Sequence, residues 1–416
     1  MKILNFGSCN LDFVYTLDHI VMPGETEATD AYEVFAGGKG LNQSVAAARA
    51  GAMAYHAGCV GNNGEMLRQI LEESGVDTTF LETVDSANGH AIIQVSRKGE
   101  NAIFLYPGSN EKITEEQIDR ALQPFAAGDF LLLQNETNLV PYAVRRGAER
   151  GMKVVLNPSP FNEKIREIDF SLLSYLILNE VEGKALTGSD DPRECIGLLR
   201  KQYPNLAVVL TLGKEGSIFC DGSGTFYQPA YRVCVVDTTA AGDTFTGYFL
   251  SSLADGDSCA DGLRIASAAS ALAVSRMGAA PSIPRKEEVL AALATLTPYG
   301  KDESEEQELR NRIERYLGSH LRDASLSGLA TSLGYSAAYT GNLVKKHFAM
   351  PFSVLLLRIR CGKAAELLEK TDLSIEDIID YVGYKNESFF RKAFRDRYAC
   401  SPRNYRNMKR GSKDDA

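Results

Sequence analysis

The run Asp237-Thr238-Thr239-Ala240-Ala241-Gly242-Asp243-Thr244-Phe245-Thr246-Gly247 carries the densest chemistry in the chain. It follows a β-like stretch, Tyr231 to Val236, and opens a long helix of small residues. Ala240, Ala241 and Gly242 have almost no side chain, so a ligand could lie against their backbone. Their N–H groups would stand at a helix N-terminus, where unpaired donors and the helix dipole favour an anion. Asp243 stands one step into that anion site. A carboxylate beside donors meant for phosphate is electrostatically unfavourable, which points to proton abstraction from a hydroxyl that attacks phosphorus. A capped helix with an acid in its first turn would use the same residues, so the rest of the chain has to decide.

The elements that would position this run come earlier. Residues 3–6 read as a short buried strand ending in Gly7-Ser8, with Asn10 and Asp12 at its exit. Gly37-Gly38-Lys39-Gly40-Leu41-Asn42 leads into the Ala-rich stretch Gln43 to Ala50, a good helix. Glycines there let backbone approach a small ligand, and Asn42 would point into the same space. Residues 11–36 and 90–106 alternate around turns at Pro23-Gly24 and Lys98-Gly99, which predicts two hairpins. From residue 128 four apolar runs each end in polar residues: Gln134-Asn135-Glu136, Asn157-Pro158-Ser159, Asn179 to Glu182, and Thr211-Leu212-Gly213. Helical stretches separate them, the pattern of parallel strands covered by helices on both faces. In such sheets ligands bind at the carboxyl ends of the strands, where these polar residues collect. A small-residue helix over 263–277, the turn Gly278 to Pro284, and a helix from Lys286 to about Leu296 complete this part.

The last hundred residues differ in kind. Net charge is −9, yet residues 1–300 carry 24 basic and 37 acidic side chains while residues 301–416 carry 21 basic and 17 acidic. Between Lys385 and Arg410 nine basic residues face two acidic ones, which suits a polyanion partner. An acidic stretch, 298–308, reads as a linker between a domain over 1–297 and one over 309–410, with a polar tail over 411–416. Ser325 to Tyr335 and Ser336 to Phe348 form a helix, glycine turn, helix unit. After a long helix, Ser353 to Lys370, the arrangement repeats in Ser374 to Tyr384 and Asn386 to Tyr398. Phe390 and Phe394 share one face of the final helix, and Arg391, Lys392 and Arg395 lie mainly off it, a form that fits a DNA groove. The eight cysteines show no metal-ligand spacing and read as reduced thiols of a cytoplasmic protein. The N-terminus lacks the apolar core of a signal peptide, and no run approaches a membrane span.

With these motifs in place, residues 1–296 resemble the ribokinase-like (PfkB) sugar kinases. Gly37 to Gly51 is similar to the family's first signature and Asp237 to Gly247 to its second. Asn10-Leu11-Asp12, Pro23-Gly24-Glu25-Thr26 and Gly278 to Pro284 resemble the ribokinase branch. The resemblance implies a doubly wound, mostly parallel α/β sheet with a small β lid. It makes Asp243 the base for a sugar's primary hydroxyl and the amides of Ala240, Ala241, Gly242 and Asp243 the anion hole. Asn10, Asp12, Gly38, Lys39, Asn42 and Glu136 would hold sugar hydroxyls. Thr211, Gly213 and Gly216 would line the ATP site. Asn179 and Glu182 would lie near Mg2+ and the nucleotide phosphates. Asp237, Thr239, Ala273, Arg276, Gly278 and Ser282 would surround K+, largely through backbone carbonyls. The lid would also pair two subunits into a homodimer.

Residues 310–407 resemble the AraC-type DNA-binding domain, an all-α module with two helix-turn-helix units. The second unit, Val382 through Arg406, matches well; the first departs from the pattern at Thr340, Gly341 and Asn342. The implied contacts to double-stranded DNA are Ala338, Asn342 and Lys345 in the first unit and Glu387, Ser388, Arg391, Lys392 and Arg395 in the second. Three functions follow as expectations. The favoured one is an active ATP-dependent kinase for ribose or a related sugar, joined to a DNA-binding regulator. The others are a regulator whose kinase fold only senses sugar, and a kinase with a structural helical tail. Asp243, Gly242 and Glu182 are all present, which favours an active enzyme.

Overall fold

The computed structural model describes residues 1–97, 101–299, 303–371, 373–384 and 386–411. The turn expected at Lys98-Gly99, residues 300–302 of the expected linker, Lys385, and residues 412–416 of the tail lie outside the described residues. The chain forms two compact units, Met1–Tyr299 and Gly300–Ala416.

In the first unit β1 (Lys2–Phe6) is followed by β2 (Asn10–Leu17), β3 (Ala31–Gly37), α1 (Lys39–Arg49), β4 (Met53–Val60), α2 (Glu65–Glu73) and β5 (Asp77–Thr83). Next come β6 (Gly89–Ser96), β7 (Asn101–Tyr106), α3 (Glu115–Leu122), β8 (Phe130–Gln134), α4 (Val140–Glu149), β9 (Lys153–Asn157) and β10 (Tyr175–Asn179). The unit ends with α5 (Glu180–Thr187), α6 (Pro192–Gln202), β11 (Ala207–Thr211), β12 (Ser217–Cys220), β13 (Thr225–Gln228), α7 (Ala241–Asp255), α8 (Cys259–Val274) and α9 (Lys286–Ala292).

Nine strands form one sheet in the order β13-β12-β11-β10-β9-β8-β1-β4-β5, parallel from β5 to β11 and antiparallel at the β12 and β13 edge. Alternate residues of a strand serve opposite faces. In β8, Phe130 and Leu132 pack into the layer holding α1, α7 and α8, and Leu131 and Leu133 into the layer holding α3, α4 and α6. That two-sided burial is why these strands are continuously apolar. A second sheet, β3-β2-β6-β7, stands apart as a lid built from the two expected hairpins.

Several details differ from the sequence reading. Tyr231 to Val236 is not a strand; Tyr231 makes an isolated bridge to Pro298, and the Val236 amide turns to the Val274 carbonyl at the end of α8. Its backbone bonds go instead to the 297–299 segment, through the Arg232 amide to the Thr297 carbonyl and the Tyr299 amide to the Ala230 carbonyl, and residues 234–236 stay exposed. The helix expected over 263–277 begins earlier, on the Ser258 cap, and ends at Val274. β4, β5, β12 and β13 carry weak alternation and were not anticipated.

The second unit holds α10 (Glu303–Ser319), α11 (Leu326–Leu333), α12 (Ala337–Phe348), α13 (Phe352–Lys370), α14 (Ile375–Tyr381), α15 (Glu387–Tyr398) and α16 (Pro402–Gly411). The internal duplication is visible in the backbone. Ser325, Ser336, Ser374 and Asn386 cap α11, α12, α14 and α15 through their side chains. Left-handed residues follow α12 and α15 at Ala349 and Ala399, each with φ 56°. The long α13 joins two cores: Leu355 and Leu356 pack with α10, α11 and α12, whereas Ala364, Ala365 and Leu368 pack with α14 and α15. Among the described residues no helix is long and apolar enough to cross a membrane.

Candidate active site

The N-cap of α1 is Gly38, which has no side chain to offer the first free amides of the helix. A carboxylate from the end of β8 takes that place. Glu136 Oε2 accepts the Lys39 N–H at 2.9 Å and the Ser8 hydroxyl, and Ser8 Oγ accepts the Gly40 N–H at 3.2 Å. Burial pushes the Glu136 carboxyl up, opposed by the Lys39 ammonium. Lys39 in turn is held above its ordinary range by Asp243 against burial, with Glu136 and Glu182 adding to the effect. Asp12, on β2, is pushed up to about 7 by burial and by the nearby Glu136. Asn10 Oδ1 accepts from Asn110 Nδ2 at 2.7 Å, and Asn110 Oδ1 accepts the Cys9 N–H at 3.0 Å, so the strand exit is fixed by a residue the sequence reading missed.

Asp243 occupies the first turn of α7 and is buried. Its Oδ2 accepts from Asn42 Nδ2 at 3.1 Å and its Oδ1 from Gln43 Nε2 at 2.9 Å, so α1 delivers two amides to one carboxylate. Among the described residues Asn42 Oδ1 is buried without a hydrogen-bond partner, an acceptor left open for a donor. Ala240 enters α7 in the left-handed conformation, φ 59°, and the Gly242 and Asp243 N–H groups find no acceptor among the described residues. A cavity of about 210 Å³ opens over them, lined also by Lys39, Asn157, Asn179 and Glu182. It shares Thr211, Thr238, Ala241 and Gly242 with a larger, mostly apolar cavity of about 330 Å³ that Gly213, Gly216, Val235, Val274 and Tyr299 also line.

Asn179 caps α5. Its Oδ1 accepts the Glu182 N–H at 2.9 Å, and Glu182 Oε2 accepts the Asn179 N–H at 3.0 Å. One carboxylate oxygen of a buried Glu182 is thereby left toward the cavity, and no group of three metal-ligating side chains occurs among the described residues. That donor set fits a Mg2+ ion that keeps waters and arrives with phosphate, not a protein cage. Asp237 is opposed by burial, yet Thr239 and Gly278 hold it below the usual carboxylate range: Oδ1 accepts the Thr239 amide and hydroxyl, at 2.9 and 2.6 Å, and Oδ2 the Gly278 amide at 2.9 Å. Ala273 lies in the last turn of α8, and its carbonyl accepts the Arg276 N–H at 3.0 Å. Arg276 pairs with Glu288 at 3.1 Å, and the Ser282 hydroxyl donates to the Ala279 carbonyl. Asp237 beside the negative end of α8 gathers hard oxygens, which suits a monovalent cation such as K+.

A buried polar row behind Asp243 was not foreseen. Gln134 Nε2 donates to Gln43 Oε1 at 2.7 Å and to Asn5 Oδ1 at 3.0 Å, and Asn5 Nδ2 donates to Ser44 Oγ and the Gly40 carbonyl. Ser44 Oγ and His56 Nδ1 lie 2.8 Å apart, and burial pushes His56 down to about 4. The available signal was polar residues inside apolar elements: Asn5 within a strand, Gln43 and Ser44 within an Ala-rich helix.

In the second unit Ala338, Asn342 and Lys345 are exposed along one side of α12. On α15, Glu387, Ser388, Lys392 and Arg395 are exposed, while Arg391 is half-buried and donates through Nε to Glu387 at 2.7 Å. Thr340 is fully buried, and its hydroxyl donates to the Ser336 carbonyl at 2.9 Å, which explains how the polar departure is tolerated.

Comparison with known proteins agrees with this geometry. The model of the pfkB family of carbohydrate kinases matches residues 1–286, and a helix-turn-helix domain matches residues 329–408. The ribokinase of Haemophilus influenzae is 35% identical over 296 residues, covering 69% of this chain and 96% of that one. The deoxyribokinase of Salmonella typhi is 32% identical over 263 residues, covering 60% and 84%. Among solved structures, Cryptococcus neoformans ribokinase in complex with ADP superposes with a TM-score of 0.62 at 32% identity over 70% of this chain and 99% of that one. Arabidopsis thaliana ribokinase complexed with ribose and ATP gives 0.64 at 27% identity over 70% and 98%. The chain belongs to the pfkB family of carbohydrate kinases, as a ribokinase-like sugar kinase fused to an AraC-type helix-turn-helix domain.

Proposed function

We propose that the first unit transfers the γ-phosphoryl group of ATP to the primary hydroxyl of ribose or a close relative, and that the second unit binds double-stranded DNA. One observation carries the kinase reading. The buried Asp243 carboxylate lies between Asn42, whose Oδ1 lacks a partner, and the free amides of Gly242 and its own residue. A hydroxyl on the Asn42 side and a phosphate on the amide side would meet at that carboxylate.

In this reading Asn10, Asp12, Gly38, Lys39, Asn42 and Glu136 hold the sugar under the lid. Asp243 takes the proton of the primary hydroxyl while the sugar oxygen bonds to the γ-phosphorus and the bond from the γ-phosphorus to the bridging oxygen breaks, so that ADP leaves with that oxygen. The free amides of Gly242 and Asp243 receive the charge on the equatorial oxygens, with their dipoles already aimed, and Ala240 and Ala241 complete the hole once the Ala241 amide gives up its 3.3 Å bond to the Thr238 carbonyl. Thr211, Gly213 and Gly216 border the apolar cavity that suits a nucleotide base, the donor bound in relatives crystallised with ADP or ATP. Mg2+ held near Asn179 and Glu182 would neutralise phosphate charge, and K+ near Asp237, Thr239, Ala273, Arg276, Gly278 and Ser282 would shape the loop before α7.

The exposed Ile103, Phe104, Leu105 and Tyr106 on edge strand β7, with Tyr32 on β3, support pairing of two lids in a homodimer. Ala338, Asn342 and Lys345 on α12, and Glu387, Ser388, Arg391, Lys392 and Arg395 on α15, support DNA contact in successive grooves, within a cytoplasmic regulator. The kinase reading is tested by a coupled ATPase screen over pentoses, hexoses and nucleosides with K+ present. Turnover with one sugar class, lost in Asp243→Asn while sugar still binds, is expected. Unchanged turnover in that variant refutes the base assignment.

A further inference from the structure

We infer that Gln43 is a positioning residue for phosphoryl transfer, one that holds the Asp243 carboxylate in the orientation that accepts the sugar proton. The inference rests on the reading of Asp243 as base and adds a residue outside the sugar and nucleotide contacts. Gln43 is completely buried, and all its polar atoms are committed. Nε2 donates to Asp243 Oδ1 at 2.9 Å and to Asn157 Oδ1 at 3.2 Å, while Oε1 accepts from Gln134 Nε2 at 2.7 Å.

The direction of the amide is forced from both ends. Turned over, Gln43 would set its oxygen against the Asp243 carboxylate and against Asn157 Oδ1. Asn157 cannot turn to meet it, because its own Nδ2 donates to the Ile177 carbonyl at 2.8 Å. On the other side Gln134 presents the same Nε2 to both Gln43 and Asn5, and Asn5 is fixed by the Gly40 carbonyl and Ser44. Strands β1, β8 and β9 thereby set one donor against Asp243 Oδ1. The other oxygen, Oδ2, is left with Asn42 on the side where the sugar enters. A carboxylate pinned at one oxygen loses little freedom when the other takes a proton, and misplacement of about 1 Å in such a geometry costs on the order of a hundredfold in rate. The charged groups around the carboxylate are Lys39 of α1 and Glu136 after β8, with Glu182 of α5 across the shared cavity; the side-chain bond at Oδ1 comes from Gln43.

The test compares full-length wild type, Gln43→Met, Gln43→Glu, Gln134→Met and Asp243→Asn, in pH–rate profiles with the best sugar and ATP. Melting curves and sugar titration establish that each variant is folded. Gln43→Met is expected to lower kcat about ten- to a hundredfold with both KM values within about threefold. It should also move the acid limb of kcat to higher pH, because the ionised base has lost a donor. Gln43→Glu should move that limb further by placing a like charge beside Asp243. Gln134→Met, which leaves Asp243 untouched, should show a smaller loss in the same direction. If Gln43→Met does not fold, Gln43→Glu and Gln134→Met decide. Folded Gln43 variants with wild-type kcat and an unmoved acid limb, beside an inactive Asp243→Asn, overturn the inference. An active Asp243→Asn instead removes the base reading beneath it.

Discussion

Gly247→Ala sets two helix effects of opposite sign against each other. In an exposed helix the added methyl is favourable, by about 1 kcal/mol on the propensity scale. Gly247 is one turn beyond Asp243, on the face of α7 that meets α1. A Cβ there would lie 2.4 Å from the Ala46 Cβ, 2.6 Å from the Ala47 amide nitrogen and 2.8 Å from the Gln43 carbonyl oxygen. Carbon atoms in contact prefer about 3.5–4.0 Å, so the helices must part by roughly 1 Å. The obstacles are a helix backbone and a methyl, neither of which can swing aside. Overpacking of this kind costs about 1–3 kcal/mol, so the contact outweighs the propensity gain and the variant melts lower than wild type. The functional consequence is larger. The same separation lengthens the bonds from Asn42 and Gln43 to Asp243, now 3.1 and 2.9 Å, and a shift of about 1 Å at the base is expected to reduce kcat on the order of a hundredfold. The assay is coupled ADP release at saturating sugar and ATP beside a thermal melt. Gly197→Ala serves as control, because its Cβ meets nothing within 4 Å; it should stabilise by about 0.4–1 kcal/mol and leave kcat alone. If Gly247→Ala behaves like that control, the α1–α7 contact does not set the geometry of Asp243.

Other outcomes follow from single features. Asp12 is pushed up to about 7 from an ordinary 3.8, so between those values the folded protein holds a proton that the unfolded chain has released. The sugar-free protein should therefore lose stability as pH rises through that window, a slope that Asp12→Asn flattens in pH-dependent melts. If sugar hydroxyls donate to the ionised Asp12 carboxylate, ribose binding near pH 7 should draw its pKa down and release protons, read by calorimetry in two buffers of different ionisation enthalpy; equal heats, or uptake, would count against that contact. Gly341→Ala, whose Cβ meets only Leu326 Cδ2 at 3.6 Å, should stabilise the helix-turn-helix unit by up to about 1 kcal/mol, measured by chemical denaturation. DNA affinity measured by anisotropy should fall steeply with salt as phosphate contacts release counterions, and a flat response would contradict the DNA reading.

What was legible in the sequence was what a short stretch determines by itself. The order of apolar runs β8 to β11, the glycine entry to α1, the small-residue entry to α7 with its free amides and the paired helix-turn-helix units all follow from local periodicity and caps. The Tyr231–Val236 stretch misled because β propensity says nothing about which partner the backbone will meet, and here the Arg232 and Val236 amides go to the Thr297 and Val274 carbonyls and not to a strand. Glu136 was read as a sugar contact, but its second task, capping α1 in place of the bare Gly38, depends on a strand and a helix 97 residues apart in sequence.

Gln43 shows why the supporting polar row was harder to read than the reacting group. Asp243 announces itself because an acid at an anion site is a local contradiction. A glutamine within an Ala-rich helix is no contradiction until that face is known to be buried, and its burial depends on Gly247, Ala46 and Ala47 bringing α1 and α7 together. The small residues that resemble generic helix formers therefore do two things. They admit the close helix contact, and by removing water from it they oblige the amide donors of Gln43, Gln134 and Asn5 to find acceptors among one another and their neighbours, since a buried donor left unpaired costs about 1–3 kcal/mol. Of these three side chains only Gln134 Oε1 goes without a partner among the described residues. With Asn5 and Asn157 fixed by backbone carbonyls the amides of the row can point only one way, and its last donor ends on the Asp243 carboxylate, the group proposed to take the proton.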